Sequence, residues 1–265
     1  MGQARMRKLR IQQGNHKCIF CGGLTKAETV DHVPPKVLFR EKIWPEGFEF
    51  PACLSCNSKT SDNDLIVGVM ARMTRDGDNL TGLLKNLKKQ KPKLLPQMVK
   101  MSASEARRSV KQLGLVKPAG LTYREVGVVN ITDDMRIAVK TLASKLSKAI
   151  YFLMTEQIFP SNGGILFYWF TNAQLHQHGY IYALDALAHF RYQTKELKRA
   201  NSSLRDQFDY RYSVTDDANT HLIQVTFGNS FGFVTIMNPD ENEIIALNDK
   251  AEEETNKHSC FELIK

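Results

Sequence analysis

Between residues 139 and 153 the apolar positions Val139, Leu142, Leu146, Ile150 and Leu153 recur at spacings of three and four. A helix collects such positions on one face, so a long amphipathic helix with a buried stripe is expected here, opened by Asp133-Asp134. Elsewhere in the second half the apolar residues fall in short blocks. Tyr123–Ile131 is strand-like, and Ile165–Phe170 reads as a buried strand. Leu222–Phe227 and Phe231–Met237, split by Gly228-Asn229-Ser230, read as an antiparallel hairpin. The acidic stretch from Asn248 to His258 is expected to be loose.

The first quarter has smaller elements. Glu28–Val33 alternates as a short strand, and Pro34-Pro35 stops it because proline removes a ladder donor. Phe48–Ala52 is a second strand. From Asp62 or Asn63, either a suitable N-cap, a helix is expected through LIVGVMARMTRD. Lys85–Lys100 is lysine-dense, broken by Pro92 and Pro96, and reads as a linker. Ser102 and Glu105 have capping-box spacing for a short helix ending near Gly114. Residues 3–12 read as a basic helix or arm. No internal repeat is visible. The expected fold class is α+β: an N-terminal module over residues 1–84, a basic helical linker over 85–120, and a C-terminal α+β domain over 121–265.

Charge adds a direction. Residues 1–125 hold 23 Lys+Arg against 11 Asp+Glu, and residues 126–265 hold 13 against 17. A basic front half suits a polyanion, since lysines and arginines on phosphates release condensed counterions. With 42% apolar and 24% charged residues, the composition is that of a globular chain. No apolar run approaches the roughly 20 residues a bilayer demands. The basic start of the chain has no apolar core of a secretory leader, so a cytoplasmic location and no membrane partner are expected.

Four of the five cysteines form two pairs, Cys18/Cys21 and Cys53/Cys56, spaced C-x2-C-x31-C-x2-C. Each pair can present two thiolates from one tight turn, with Gly22-Gly23 supplying positive φ angles, and two turns complete a tetrahedral zinc site. Four thiolates leave no open position, so this zinc holds the fold and does no chemistry. Cys260 reads as a plain free thiol and His16 as a surface residue. His176 and His178 have neither a carboxylate nor a cysteine beside them and carry no metal expectation.

Between the pairs, Thr29-Val30-Asp31-His32-Val33-Pro34-Pro35 ends a strand in a carboxylate followed by an imidazole. Adjacent strand residues point to opposite faces. That suits a division of labour in which one side chain holds a cation and the other activates water. Asn57, directly after Cys56, is placed to offer an oxygen ligand. A neutral imidazole with a pKa of about 6.5 can take a proton from water at cellular pH.

The segments CIFCGG, TVDHVPP and PACLSCNSK, in that order across roughly residues 15–75, resemble the HNH (ββα-metal, treble-clef) nucleases, including the HNH domains of CRISPR effector nucleases. The resemblance implies a treble-clef zinc module and metal-dependent endonucleolytic cleavage of nucleic acid, DNA before RNA. By position, His32 becomes the general base, and Asp31 and Asn57 the ligands of a catalytic Mg²⁺ or Mn²⁺ distinct from the zinc. Lys59 becomes a stabiliser of charge on the scissile phosphate. Lys85, Lys88, Lys89, Lys91 and Lys93 are expected to contact phosphates without reading sequence. One departure stands out: Gly47-Phe48-Glu49 occupies the place where many HNH chains carry an asparagine that braces the loop behind the base. Another group must then orient His32. The C-terminal domain resembles no named family and is expected to take a regulatory ligand or a protein partner. The alternative is a non-catalytic, zinc-dependent nucleic-acid-binding protein on the same scaffold; an adaptor with a purely structural zinc suits the basic front half less well.

Overall fold

The computed structural model describes residues 16–73, 80–99, 130–171, 192–199, 201–255 and 261–264. The helix after Ser102, the N-terminal arm, His176, His178 and Cys260 lie outside these residues, as does the expected strand Tyr123–Ile131 except for Asn130 and Ile131, which are in neither helix nor strand.

Strand β1 (Thr29–His32) pairs antiparallel with β2 (Glu49–Ala52), setting Asp31 opposite Phe50 and His32 opposite Glu49. β2 runs straight into the short helix α1 (Leu54–Ser58) and then α2 (Ser61–Arg72). Helix α2 starts one residue ahead of the expected caps. Asp62 and Asp64 instead sit in its first turn, where carboxylates face the unpaired N–H groups. Residues Leu65 to Ala71 of α2 are all buried. A Cβ on Gly68 would meet the Val37 methyls at 2.8 Å, so the glycine admits the Lys36–Leu38 turn against the helix.

The lysine-dense stretch holds two helices, α3 (Thr81–Gln90) and α4 (Leu94–Val99), parted near Pro92. Leu87, Leu94 and Met98 are buried, so this segment helps build the core. The expected boundary after residue 84 falls inside α3.

Helix α5 (Asp133–Thr155) is capped by Thr132, whose hydroxyl accepts from the Met135 amide at 3.3 Å. It ends at Glu156 in the left-handed conformation. The predicted stripe is buried through Val139, Leu142, Leu146 and Ile150, together with Ala138, Ala143 and Ala149. Strands β3 (Gly164–Thr171), β6 (Asp209–Val214), β7 (His221–Phe227), β8 (Phe231–Asn238) and β9 (Glu262–Ile264) form an antiparallel sheet in the order β6-β7-β8-β3-β9. A small separate ladder pairs β4 (Lys198–Arg199) with β5 (Ser202–Ser203). The predicted hairpin is β7-β8. The acidic stretch differs from expectation: α6 (Glu241–Thr255) carries it in helical form as far as Thr255. Buried Ile244 anchors that helix on β3, where a Cβ on Gly164 would meet Ile244 Cβ at 2.8 Å. Alanine, leucine, lysine and glutamate, good helix formers all, extend it.

One apolar cluster runs from Cys18 to Met237, so the hairpin module and the large sheet share a core. Phe208 stands at their junction. Its ring meets Phe48 edge-on at 5.5 Å and stacks on Phe227 at 5.5 Å and Tyr210 at 6.1 Å. Among the described residues no helix is long and apolar enough to cross a membrane.

Phe208→Ala is expected to destabilise the chain by about 3–5 kcal/mol. In urea, tryptophan fluorescence and far-UV circular dichroism should move together to a lower midpoint; separate transitions would show that the two parts do not share a core.

Candidate functional site

The first cysteine knuckle is a turn held by the Gly23 amide on the Cys18 carbonyl at 3.0 Å and the Cys18 amide on the Thr25 carbonyl at 2.9 Å. Gly22 and Gly23 take φ of 68° and 78°, the left-handed conformation expected of them. The second knuckle is the start of α1, where the Cys56 amide donates to the Cys53 sulfur at 3.4 Å. None of the four thiols is in a disulfide. Their sulfurs all lie within 4.8 Å of one another. A tetrahedral zinc with bonds of about 2.3 Å sets its sulfurs about 3.8 Å apart, so slight tightening closes the cluster on the ion. The four cysteines come together in a cluster of the size and donor type that can hold a zinc ion, as the spacing predicts.

Helix α5 reaches this module with three polar side chains on one face. Thr141 accepts from the Asn63 amide at 3.2 Å. Lys145 donates to Asp31 Oδ2 at 2.5 Å and to Thr60 Oγ1 at 2.9 Å. Lys148 donates to the Phe20 carbonyl at 3.1 Å, beside the first knuckle. Burial pushes the Lys148 ammonium below its ordinary pKa, while the thiolates of Cys56, Cys21 and Cys18 pull it back. A four-thiolate zinc carries net negative charge, and Lys148 is placed to offset part of it.

Asp31 therefore points inward, with its side chain 10% exposed and that of Lys145 12% exposed. Burial raises the Asp31 pKa, and Lys145 holds it back. Thr60 precedes α2 in a helical conformation and does not cap it through its side chain; its hydroxyl accepts from Lys145. Asp64 lies near the same group. Burial pushes its carboxyl up to about 7, with the attraction of Lys145 opposing and the charge of Asp31 adding to the rise. Asn57 is turned to the strand: its amide donates to Thr29 Oγ1 at 3.3 Å and to the Val30 carbonyl at 3.4 Å.

His32 takes the other face, as strand alternation requires. Its Nε2 lies 3.2 Å from Glu49 Oε1, with side chains 28% and 16% exposed. Glu49 stands in the segment where the sequence lacks the bracing asparagine, so a side chain from the paired strand supplies the orienting contact. The imidazole also meets Trp44 edge-on at 4.8 Å. Around that indole gather Lys36, whose Nζ is 3.6 Å from the ring centre, and Arg199, whose guanidinium carbon is 3.9 Å away. Burial, then Arg199, then Lys42 lower the Lys36 pKa. Glu41 and Lys42 occupy the left-handed region in succession at φ of 53° and 57°. Non-glycine residues there store strain of order 1–3 kcal/mol each, and such strain gathers where a chain must present particular groups.

Contacts from the second half hold this corner in place. Lys198 accepts at its carbonyl from the Glu46 amide at 3.1 Å, Arg199 donates to the Trp44 carbonyl at 3.2 Å, and Arg40 pairs with Asp206 at 2.7 Å. Glu49 was not singled out as the partner of His32, though antiparallel pairing of the two short strands would have set them opposite each other. Arg199, Lys145 and Lys148 carried no comparable signal, since isolated lysines and arginines far along the chain read as solvated charge. Lys59 is exposed at the end of α1. Lys85, Lys88, Lys89 and Lys93 are exposed on α3 and the turn after it, while Lys91 is half-buried with Asp62 at 3.7 Å.

Comparison with family models, curated proteins and solved structures finds no match for this chain.

Two outcomes are expected. Cys53→Ser is expected to abolish zinc binding, measured by metal analysis of the purified chain, and to lower the thermal midpoint by about 10 °C or more. Unchanged zinc content would remove Cys53 from the ligand set. The second concerns pH. The folded chain keeps the Asp64 proton up to about 7, whereas an unfolded chain releases it near about 3.9. The stability this provides is complete below the lower value and is lost as pH rises through the upper one. Urea midpoints measured from pH 5 to 8 should therefore fall less steeply in Asp64→Asn than in the wild type.

Proposed function

We propose that the chain is a nucleic-acid phosphodiesterase of the HNH type, with a treble-clef zinc module and His32 as general base. The observation that supports it most is the His32–Glu49 pair at the open end of a zinc-anchored ββα unit. A carboxylate on Nε2 favours the tautomer with its proton there and makes Nδ1 the basic nitrogen of the neutral ring. Nδ1 takes a proton from water as the water oxygen bonds to phosphorus. The bond from phosphorus to the leaving ester oxygen breaks, and that oxygen takes a proton from solvent. Lys36 and Arg199 flank the Trp44 ring that His32 touches, and a phosphate group there would relieve their repulsion while gaining charge-assisted hydrogen bonds. The exposed Lys85, Lys88, Lys89 and Lys93 extend the basic surface for a polyanion, DNA before RNA.

The expected Mg²⁺ or Mn²⁺ on Asp31 and Asn57 fits less well. Asp31 already holds an ammonium, while Asn57 is turned to β1 by its Nδ2, which leaves only its Oδ1 to offer a cation. The same observation favours a second reading, in which the basic face binds nucleic acid without cutting it.

Plasmid cleavage separates the two. Wild type and His32→Ala, matched for zinc content, are incubated with no added divalent ion, with Mg²⁺ and with Mn²⁺. Nicking that falls by about 10²–10⁴-fold in His32→Ala is expected. A folded wild type that stays inert on DNA and RNA but binds DNA with a steep salt dependence would leave the binding module as the function.

A further inference from the structure

We propose that the Lys145 ammonium is the resident cation of the Asp31 carboxylate, so that the folded chain takes zinc at its cysteines and no Mg²⁺ or Mn²⁺ at Asp31. The inference goes beyond the nuclease reading and does not require that cleavage occur.

The geometry carries it. Lys145 Nζ sits on Asp31 Oδ2 at 2.5 Å and on Thr60 Oγ1 at 2.9 Å, where a metal ion would take its bonds. An ammonium and a hard divalent ion compete for the same oxygens, and each repels the other at such range. Both side chains are close to nine-tenths buried, so the ammonium cannot swing into water without leaving a buried carboxylate unpaired. Nor is Lys145 a stray side chain of a loose loop. It lies mid-helix on α5, four residues after Thr141 and three before Lys148, and each of these makes its own bond to the module. One helix face thus delivers the cation at a fixed depth.

Its neighbours say what removal would do. Asp31 and Thr60 hold the ammonium directly, and Asp64 is near enough to feel the charges of both Asp31 and Lys145. Without it, the buried Asp31 carboxylate and the Thr60 hydroxyl would be left as oxygen donors with no cation, the donor type a hard cation prefers. Lysine in this place closes a divalent site that the flanking residues would otherwise form.

The test titrates the zinc-loaded full-length chain with Mn²⁺ and reads free Mn²⁺ by electron paramagnetic resonance, with no nucleic acid present. Wild type and Asp31→Asn are expected to give the same weak binding. Lys145→Met is expected to gain a site about 100-fold tighter, which Lys145→Met/Asp31→Asn loses. Mn²⁺ should also raise the thermal midpoint of Lys145→Met and leave that of wild type unchanged. Lys145→Gln, checked for zinc content and circular dichroism, replaces the methionine variant should the latter fail to fold. Stoichiometric Mn²⁺ binding by wild type that Asp31→Asn abolishes would overturn the proposal. So would a folded Lys145 variant that takes up no more Mn²⁺ than wild type. Cleavage assays decide the role of His32 separately, because Mn²⁺ uptake is measured without substrate.

Discussion

Burial of Leu142, Leu146, Ala149 and Ile150 forces α5 between the four-cysteine module and the five-stranded sheet, and the other arrangements follow from that position. A helix wrapped on two sides must satisfy polar groups as well as apolar ones. Ser147 turns to the sheet and meets Thr235 of β8 at 2.7 Å, while Thr141, Lys145 and Lys148 turn to the module. The apolar stripe supplies the driving force for docking. The polar contacts supply the register, because a buried carboxylate and a buried lysine tolerate little misplacement.

The Asp31-His32 dipeptide consequently divides two environments. Asp31 faces the helices, is nearly dry, and is bound to charge from a distant part of the chain. His32 faces outward, is partly wet, and leans on a carboxylate from the neighbouring strand. Electrostatic interactions on the inner face are strong and fixed; those on the outer face are screened by solvent. A single residue step along β1 accomplishes the change, since strand side chains alternate.

Much of this was legible because it is local. The C-x2-C pairs bring their own turns, the pairing of β1 with β2 follows from short alternating runs, and the α5 stripe follows from period. The helical course of the acidic stretch was missed, because its anchor is Ile244 against Gly164, a contact between distant segments. The same holds at the site. Cys18, Cys21, Cys53 and Cys56 come together as their spacing implies, and Glu49 meets His32 through simple strand pairing. Arg199 beside Trp44 and Lys145 on Asp31 depend on how the second half packs back over the first. Nothing near those two residues marks them, since a lone cation has the same local pattern whether it is solvated or clasped. The lysine-dense stretch was ambiguous for a related reason: its charges suggest a tether, while Leu87, Leu94 and Met98 bind it to the core.

Helix α2 has buried residues from Leu65 to Ala71, and its main helical partner, α5, lies far downstream. During synthesis the four cysteines and α2 leave the ribosome first. At roughly 5–20 residues per second, α5 follows on the order of ten seconds later. Throughout that interval the nascent chain carries an apolar helix covered only in part, by the Lys36–Leu38 turn against Gly68, and a carboxylate at Asp31 that still lies open to water. Zinc captured early would hold the hairpin together, but it would not hide Val67 or Val69. The newborn chain is thus exposed to chaperones and to its own copies at a stage that the finished protein never revisits.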